Sequence, residues 1–537
     1  MTTQKPEIEW QYDSKDIDIV ATWLKTYPSD AALTVTEQAT REQVDVYLDT
    51  ADWRMLRAGY GLRIRRKSGH AEATMKSIAA AVDGLRQRRE INETLSSDSD
   101  DSCELIAGAP GDVGQRVRKI VGKNPLQVLF ETHTRRAVYT VTQKGRQLGE
   151  VDLDDATFPG GNPDHAISLQ RIEVETAGEP QDVKDLTEFV KRMVKDCHLR
   201  EAKLSKFEAG MKSRDLKPHQ ITGADFGPTD SDDTSSAGAL AWAMLRRRFA
   251  AMLAREPGAR LGEDAEEVHL MRVAIRRLRA AFSLFRDALP QSVNRIRTEL
   301  SWVATELGAT RDLDVMIEQI NLWVAKSADA DADADADAAN AHRAVVDLLT
   351  ALRAEEHQRL LDIFDSRRYE KFTADFSRML RKPPSGPSWA DTPARTAMPE
   401  LIKDRYRKGR KAGDKLQPDS PAPDYHQLRI RIKRLRYGLE FTKGLYGKPV
   451  SATLTGMRAL QDTLGMYQDT QIAIARLQAI KTERQDTLPP ETISAIDAVA
   501  RHYEQRAVKL LDRFPRAYQH LKGKTWKRLW EAMKTDK

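Results

Sequence analysis

The stretch VHLMRVAIRRLRAAFSLF, Val268–Phe285, decides half of the fold, because YHQLRIRIKRLRYGLEF, Tyr425–Phe441, repeats its pattern. The first holds His269, Arg272, Arg276, Arg277 and Arg279; the second holds His426, Arg429, Lys433, Arg434 and Arg436. The cations fall 3, 7, 8 and 10 residues after the histidine in both. Downstream, ELGATRDLD carries Leu307, Gly308 and Asp312, and TLGMYQDTQ carries Leu464, Gly465 and Asp469, with each aspartate 43 residues after its histidine. Two motifs that recur at one spacing mark a duplicated helical unit.

At about 100° per residue, His269, Arg272, Arg276 and Arg279 share an arc of roughly 80°. Met271, Ala274, Ile275, Leu278 and Phe282 lie behind them, as Leu428, Ile432, Leu435 and Leu439 lie behind the second stripe. Like charges at i, i+4 cost a helix roughly 0.2–0.5 kcal/mol per pair. One such helix is an ordinary solvated face, but two with a fixed histidine point to an anion, and the arginine fork suits phosphate. This pattern resembles the CHAD family, the conserved-histidine α-helical domain, over about 300 residues. The resemblance implies two pseudo-symmetric four-helix bundles that bind inorganic polyphosphate. It implies His269, Arg272, Arg276, Arg279, His426, Arg429, Lys433 and Arg436 as the binding residues. Arg246, Arg247, Arg405 and Lys408, on the helix before each stripe, are secondary candidates.

Outward from the stripes, helical periodicity begins near Ala239 and runs to the end. The domain boundaries expected are 5–212, a linker at 213–237, and 238–535, the last in repeats of about 238–380 and 398–535. The Asp-Ala run Ala328–Ala338 reads as a loop. Arg381–Pro399, rich in proline, reads as the break between repeats.

The first 210 residues alternate differently, with charge on one strand face and apolar residues on the other. Glu7, Glu9 and Gln11 oppose Ile8, Trp10 and Tyr12; Arg63 and Arg65 oppose Leu62 and Ile64. Glu150, Asp152 and Asp154 share a face, as do Arg171, Glu173 and Glu175. Any one such strand fits a half-exposed sheet, but strands that sort by sign fit a closed barrel with a charged interior. Carboxylates there suit Mg2+ or Mn2+, and Arg and Lys suit the anion that the metal bridges. The arrangement resembles the CYTH superfamily, the triphosphate tunnel metalloenzymes, on Glu7-x-Glu9, YLDT, LRAGYGLRIRR, ATMKS, Glu173-x-Glu175 and KLSKF in family order. The resemblance implies metal-binding and catalytic roles for Glu7, Glu9, Glu173 and Glu175. Either Glu150 or Asp154 joins them at the metal. Triphosphate would be held by Arg63, Arg65, Lys76, Arg88, Arg136 and Lys203. Gln11 stands where the signature has Lys, which removes one tunnel cation.

The fold class expected is therefore α+β in two domains: an antiparallel β-barrel or tunnel with flanking helices, then duplicated all-α four-helix bundles. The 537 residues, 40% hydrophobic and 31% charged, suit folded domains rather than disorder. A net charge of +6 argues only weakly for nucleic acid. Cys103 and Cys197 provide neither a disulfide framework nor a zinc spacing, which suits a reducing compartment. No apolar signal or membrane span is apparent, so the expectation is a cytoplasmic protein. Its expected partners are tripolyphosphate and polyphosphate, with granule association as an option and neither membrane nor specific nucleic acid. The activity expected is a metal-dependent inorganic triphosphatase. Its rivals are a non-catalytic polyphosphate binder, which Gln11 favours, and thiamine triphosphatase or adenylate cyclase chemistry.

Overall fold

The computed structural model describes residues 7–28, 33–67, 70–78, 85–95, 101–160, 168–176, 180–230, 234–330 and 336–534. The chain divides into two units, Met1–Gln220 and Ile221–Lys537. Among the described residues, no helix is long and apolar enough to cross a membrane.

The first unit is a barrel turned inside out. Its strands are β1 (Glu7–Asp13), β2 (Thr34–Glu37), β3 (Arg41–Thr50), β4 (Tyr60–Lys67), β5 (His70–Ser77), β6 (Leu85–Arg88), β7 (Glu90–Leu95), β8 (Leu126–Gln143), β9 (Arg146–Thr157), β10 (Ser168–Thr176) and β11 (Arg200–Glu201). Hydrogen bonding orders them β11-β1-β10-β9-β8-β3-β4-β5-β7, with β2 on β8 and β6 on β1. All the pairings are antiparallel. Strands β6 and β7 are one run of chain broken at Arg89. β6 pairs with β1 and β7 with β5, so the run nearly closes the ring. The β8–β9 hairpin turns through Lys144 and Gly145, both at positive φ, the twist a two-residue hairpin needs.

Apolar side chains point out of this barrel and are covered by helices. Its helices are α1 (Ile17–Lys25), α2 (Arg54–Arg57), α3 (Ser102–Gly108), α4 (Asp112–Val121), α5 (Pro180–Asp196) and α6 (Lys206–Ser213). Trp10 and Tyr12 of β1 join Val20 and Leu24 of α1 and Leu186, Phe189 and Val190 of α5 in one core. Helix α4 packs on β5 and β7. With the apolar faces used outside, the alternating charged faces turn inward.

The second unit is helical: α7 (Ala237–Leu261), α8 (Ala265–Leu284), α9 (Val293–Ala330), α10 (Ala336–Phe364), α11 (Arg367–Arg381), α12 (Ala394–Gly413), α13 (Ala422–Phe441), α14 (Lys443–Gly456), α15 (Arg458–Glu483), α16 (Pro490–Gln519) and α17 (Lys524–Ala532). The duplication matches α7-α8-α9-α10 with α12-α13-α15-α16. The repeats share their cores. One cluster runs from Phe226 to Met533 through both, and a second joins α9, α10, α15 and α16 around Met316, Leu349, Leu477 and Tyr503.

Three segments differ from the sequence reading. Gly223–Phe226, expected in a linker, forms a 3-10 turn whose Phe226 is buried edge-on to Phe249 at 5.0 Å. Of the Asp-Ala run, Ala328–Ala330 end α9 and Ala336–Ala338 begin α10, as high alanine propensity favours, while 331–335 lie outside the described residues. Pro399 lies inside α12 rather than breaking it. The Arg395 carbonyl, which the missing N–H of Pro399 would have bonded, accepts instead from the Tyr446 hydroxyl at 2.9 Å.

Candidate functional site

The barrel encloses a cavity of about 790 Å3 lined by charge. Register explains its order. Across β1, β10 and β9, side chains align in rungs: Glu9–Glu175–Glu150, then Gln11–Glu173–Asp152, then Asp13–Arg171–Asp154. Acids thus fill one wall. The facing wall has Arg63 and Arg65 of β4 and Lys76 of β5. Buried Asp45 of β3 accepts from Arg65 at 2.7 and 2.9 Å and lies 3.5 Å from Arg63. Those two arginines outweigh burial and hold its carboxyl well below the usual range.

The two walls neutralise each other in part. Lys76 contacts Glu7 at 2.7 Å and Glu90 at 2.8 Å. Arg88 pairs with Glu9, and Arg136 reaches Glu173 at 2.8 Å and also Asp152. Buried Gln11 donates from one amide nitrogen to Glu9 at 2.9 Å and Glu173 at 3.1 Å, bridging the two Glu-x-Glu pairs. Burial would raise Glu90, but Lys76 and Arg63 hold it down at about 2. Glu175 is different. Solvent in the cavity reaches it, yet the surrounding protein and acidic Glu7 and Glu90 push its pKa up to about 7. Glu7 is also raised, chiefly by burial, and its Oε2 is buried without a hydrogen-bond donor. This acid set suits a hard divalent cation, which would relieve the repulsion. Among the described residues, no three such side chains already form a ready-made metal centre.

In the helical unit, α8 packs on α13, and their stripes meet. Burial lowers Lys433 to about 6, helped by Arg429, Arg276 and Arg272 from both helices. Arg276 is lowered likewise, by burial first and then by Arg272 and Arg436. The repeated aspartates now have a role: Arg272 donates to Asp312 at 2.9 Å, and Arg429 lies 3.5 Å from Asp469. Arg276 and Lys433 form no ion pair among the described residues, and Arg276 Nε is buried without an acceptor. His426 Nδ1 lies 2.6 Å from Gln468. His269 is depressed by burial and then by Arg311, which occupies the position of Gln468 in the first repeat.

Residues 21–205 match the CYTH domain family and residues 243–478 the CHAD domain family. The chain carries a CYTH domain followed by a CHAD domain. Among solved structures, the CHAD domain from the plant Ricinus communis is 22% identical, covering 60% of this chain and 98% of that one at a TM-score of 0.42. PptA from Streptomyces chartreusis is 20% identical over 53% and 100%, at 0.42. A putative adenylyl cyclase from Hippeastrum, described as having a dominant triphosphatase activity, is 20% identical over 40% and 100%, at 0.30.

Ten residues expected in the CYTH site line its cavity: Glu7, Glu9, Arg63, Arg65, Lys76, Arg88, Arg136, Glu173, Glu175 and, exposed, Lys203. Two do not. Asp154, expected near metal, is fully buried, with both oxygens taken by Arg136 and one also by Lys206. Glu150 shares the rung of Glu175 but bonds Gln147 at 3.2 Å, away from the cavity lining. The sequence reading missed Glu90 and Asp45, and it counted Lys206 among the cations without giving it a place in the site, although it lies 3.0 Å from Glu173. The KLSKF segment and the strand alternation at Asp45 were the available signals.

The CHAD domain brings together Arg272, Arg276, Arg429, Lys433 and Arg436 but leaves exposed Arg279 beside Arg434. Of the secondary candidates, Arg246 is structural: its guanidinium donates to the carbonyls of Leu380, Pro228 and Lys382. Arg247 donates to the Thr229 carbonyl, Arg405 to that of Ser283, and Lys408 pairs with Asp404.

Proposed function

We propose that the CYTH barrel is a metal-dependent inorganic triphosphatase and that the CHAD domain captures polyphosphate. The observation that carries this reading is the charged interior of the barrel, with acids concentrated on β1, β9 and β10 and cations on β4, β5, β6 and β8, around a cavity that a triphosphate would fit. Glu7, Glu9, Glu173 and Glu175 would hold Mg2+ or Mn2+, which when bound neutralises phosphate oxygens and acidifies water. Arg63, Arg65, Lys76, Arg88, Arg136 and Lys203 would grip the phosphate oxygens, exchanging carboxylate partners for phosphate ones. Asp45 pre-orients two of those arginines. Sixteen of the 27 lining residues are charged, with Tyr47, Leu56, Ile78, Phe207 and Met211 among the rest, and the charged majority favours an inorganic triphosphate over a nucleotide as substrate. In the CHAD domain, the half-buried basic side chains Arg276 and Lys433, which form no ion pair among the described residues, support a polyanion ligand. Phosphate release from tripolyphosphate, thiamine triphosphate and ATP, with and without Mg2+ or Mn2+, tests the reading. Metal-dependent release greatest from tripolyphosphate is expected; release that is absent or greatest from ATP would overturn it.

A second reading has one specific observation behind it. Gln11 supplies no charge between Glu9 and Glu173, which favours a barrel that binds triphosphate without turnover. Binding without release in the same assay would select it.

A further inference from the structure

The central cluster of the CHAD domain has two flanks, and they differ. The 157-residue offset from His269 to His426 also relates Arg248 to Arg405, Arg277 to Arg434, Arg279 to Arg436 and Ser283 to Glu440. On one flank Glu440 accepts from Arg436 Nε at 2.7 Å, and its other oxygen lies 3.4 Å from Arg277 Nε. Arg248, depressed by burial and then by Arg277, is near enough to feel the same carboxylate. One acid pairs with Arg436 and Arg277 and acts on Arg248 only at longer range.

The opposite flank has the three arginines without the acid. Arg405 donates to the Ser283 carbonyl at 3.0 Å, and a Cβ added at Gly438 would stand 3.8 Å from both Arg405 Cδ and Leu284 Cδ1, so Arg405 sits where α8 and α13 meet. Arg434 is close enough to lower both Arg279 and Arg405 beyond what burial does. The acid that Arg405 feels most, Asp404, is engaged by Lys408 at 2.6 Å. Among the described residues, no carboxylate forms an ion pair with Arg279, Arg405 or Arg434. The carboxylate of Glu440 therefore shows, on one flank, the kind of group that the other flank lacks: a planar or tetrahedral oxyanion between guanidinium forks.

We infer that Arg279, Arg405 and Arg434 form an oxyanion subsite for a phosphoryl group of bound polyphosphate, so that the chain leaves the central cluster past Ser283 and not past Glu440. Arg279 lies three residues beyond Arg276 on α8, a neighbour on the helix surface, so the path is continuous. At the other end, Glu440 closes the path by repulsion and by pairing with Arg436 and Arg277. This subsite rests on the reading that the CHAD domain takes polyphosphate.

The test uses the full chain and long-chain polyphosphate, with affinity measured across a salt series. Ser283→Glu supplies the missing acid and is expected to weaken binding by roughly tenfold, with the slope of log affinity against log salt falling by about one to two. Ser283→Ala should bind as the wild type does, and Glu440→Ser, which opens the second flank, should bind more tightly. Arg279→Ala with Arg434→Ala, at two exposed positions, should repeat the loss should Ser283→Glu fail to fold. Wild-type affinity in the folded Ser283→Glu chain and in that double variant overturns the subsite, as does an equal loss in Ser283→Ala. The pair Arg276→Ala and Lys433→Ala separates the two ideas. A loss there with none at the flank removes the subsite alone; no loss at either removes the polyphosphate reading as well.

Discussion

Gln11 sits between Glu9 and Glu173 and gives each a hydrogen bond but no positive charge. A lysine there would add a cation to a site where burial, and then Glu7 and Glu90, push Glu175 up to about 7. If turnover is limited by that missing charge, Gln11→Lys should raise tripolyphosphate hydrolysis on the order of tenfold, since preorganised cations stabilise developing phosphate charge. Steady-state rates over several metals check this, and a folded variant with unchanged or lower rates counts against it. Lys433 gives a pH prediction. Burial and then Arg429 and Arg276 depress its pKa to about 6, far below the roughly 10.4 of a free lysine. In the unliganded protein it is therefore mostly neutral at pH 8, whereas a bound polyanion favours the charged form. Binding must take up protons above about pH 6, so affinity falls as pH rises from there. Depressed His269 adds the same sign at the acid end. Calorimetry at pH 8 in two buffers of different ionisation enthalpy should detect the uptake, and Lys433→Arg should flatten the pH dependence.

Helix α6 carries Lys206 into the barrel and depends on two local devices. Ser205 caps it through a reciprocal box with Glu208, and Gly210 lies so near Phe130 that a Cβ would overlap the ring. Gly210→Ala should therefore displace α6, costing about 1–3 kcal/mol of stability as overpacking does, and should pull Lys206 from Glu173 and Asp154. Thermal melts and tripolyphosphate affinity of the full chain would show both losses together; a melt like the wild type would mean that the ring yields. Elements with one strong period were legible in the sequence. α8 and α13 show their apolar backs, Met271, Ile275 and Leu278 against Leu428, Ile432 and Leu435, and all six are buried. Strands β1 and β10 show their acid faces. What depended on partners was not legible: the near-closure of the barrel through β6 and β7, which needs pairing with two different strands, and the fate of Asp154, which alternation places inward but Arg136 and Lys206 consume. Pro399 misled because the hydroxyl that satisfies Arg395 comes from Tyr446, 51 residues away.

Two phosphate-handling surfaces in one chain should be separable if each belongs to its own unit. The barrel residues pack within the first unit and the stripes within the second, and the cores that support them are distinct clusters. Substitutions with no shared partner act nearly additively. In the full chain, Arg272→Ala, Arg276→Ala, Arg429→Ala and Lys433→Ala together should weaken polyphosphate binding by roughly a hundredfold or more and lower its salt slope by about three to four, since each lost cation releases one fewer counterion. The fold should persist, because the apolar backs of α8 and α13 are untouched, and phosphate release from tripolyphosphate should stay within about twofold of the wild type. Glu7→Gln with Glu9→Gln should do the reverse, removing the metal dependence of tripolyphosphate binding by the barrel while polyphosphate capture is kept. Duplex DNA at equal charge concentration is the control: binding as tight as that of polyphosphate at physiological salt would make the stripes a general polyanion surface. Unchanged polyphosphate affinity in the four-residue variant would remove the CHAD stripes from the binding site. Loss of both functions in either variant would show that the two units are coupled, and that a chain captured by one bears on turnover in the other.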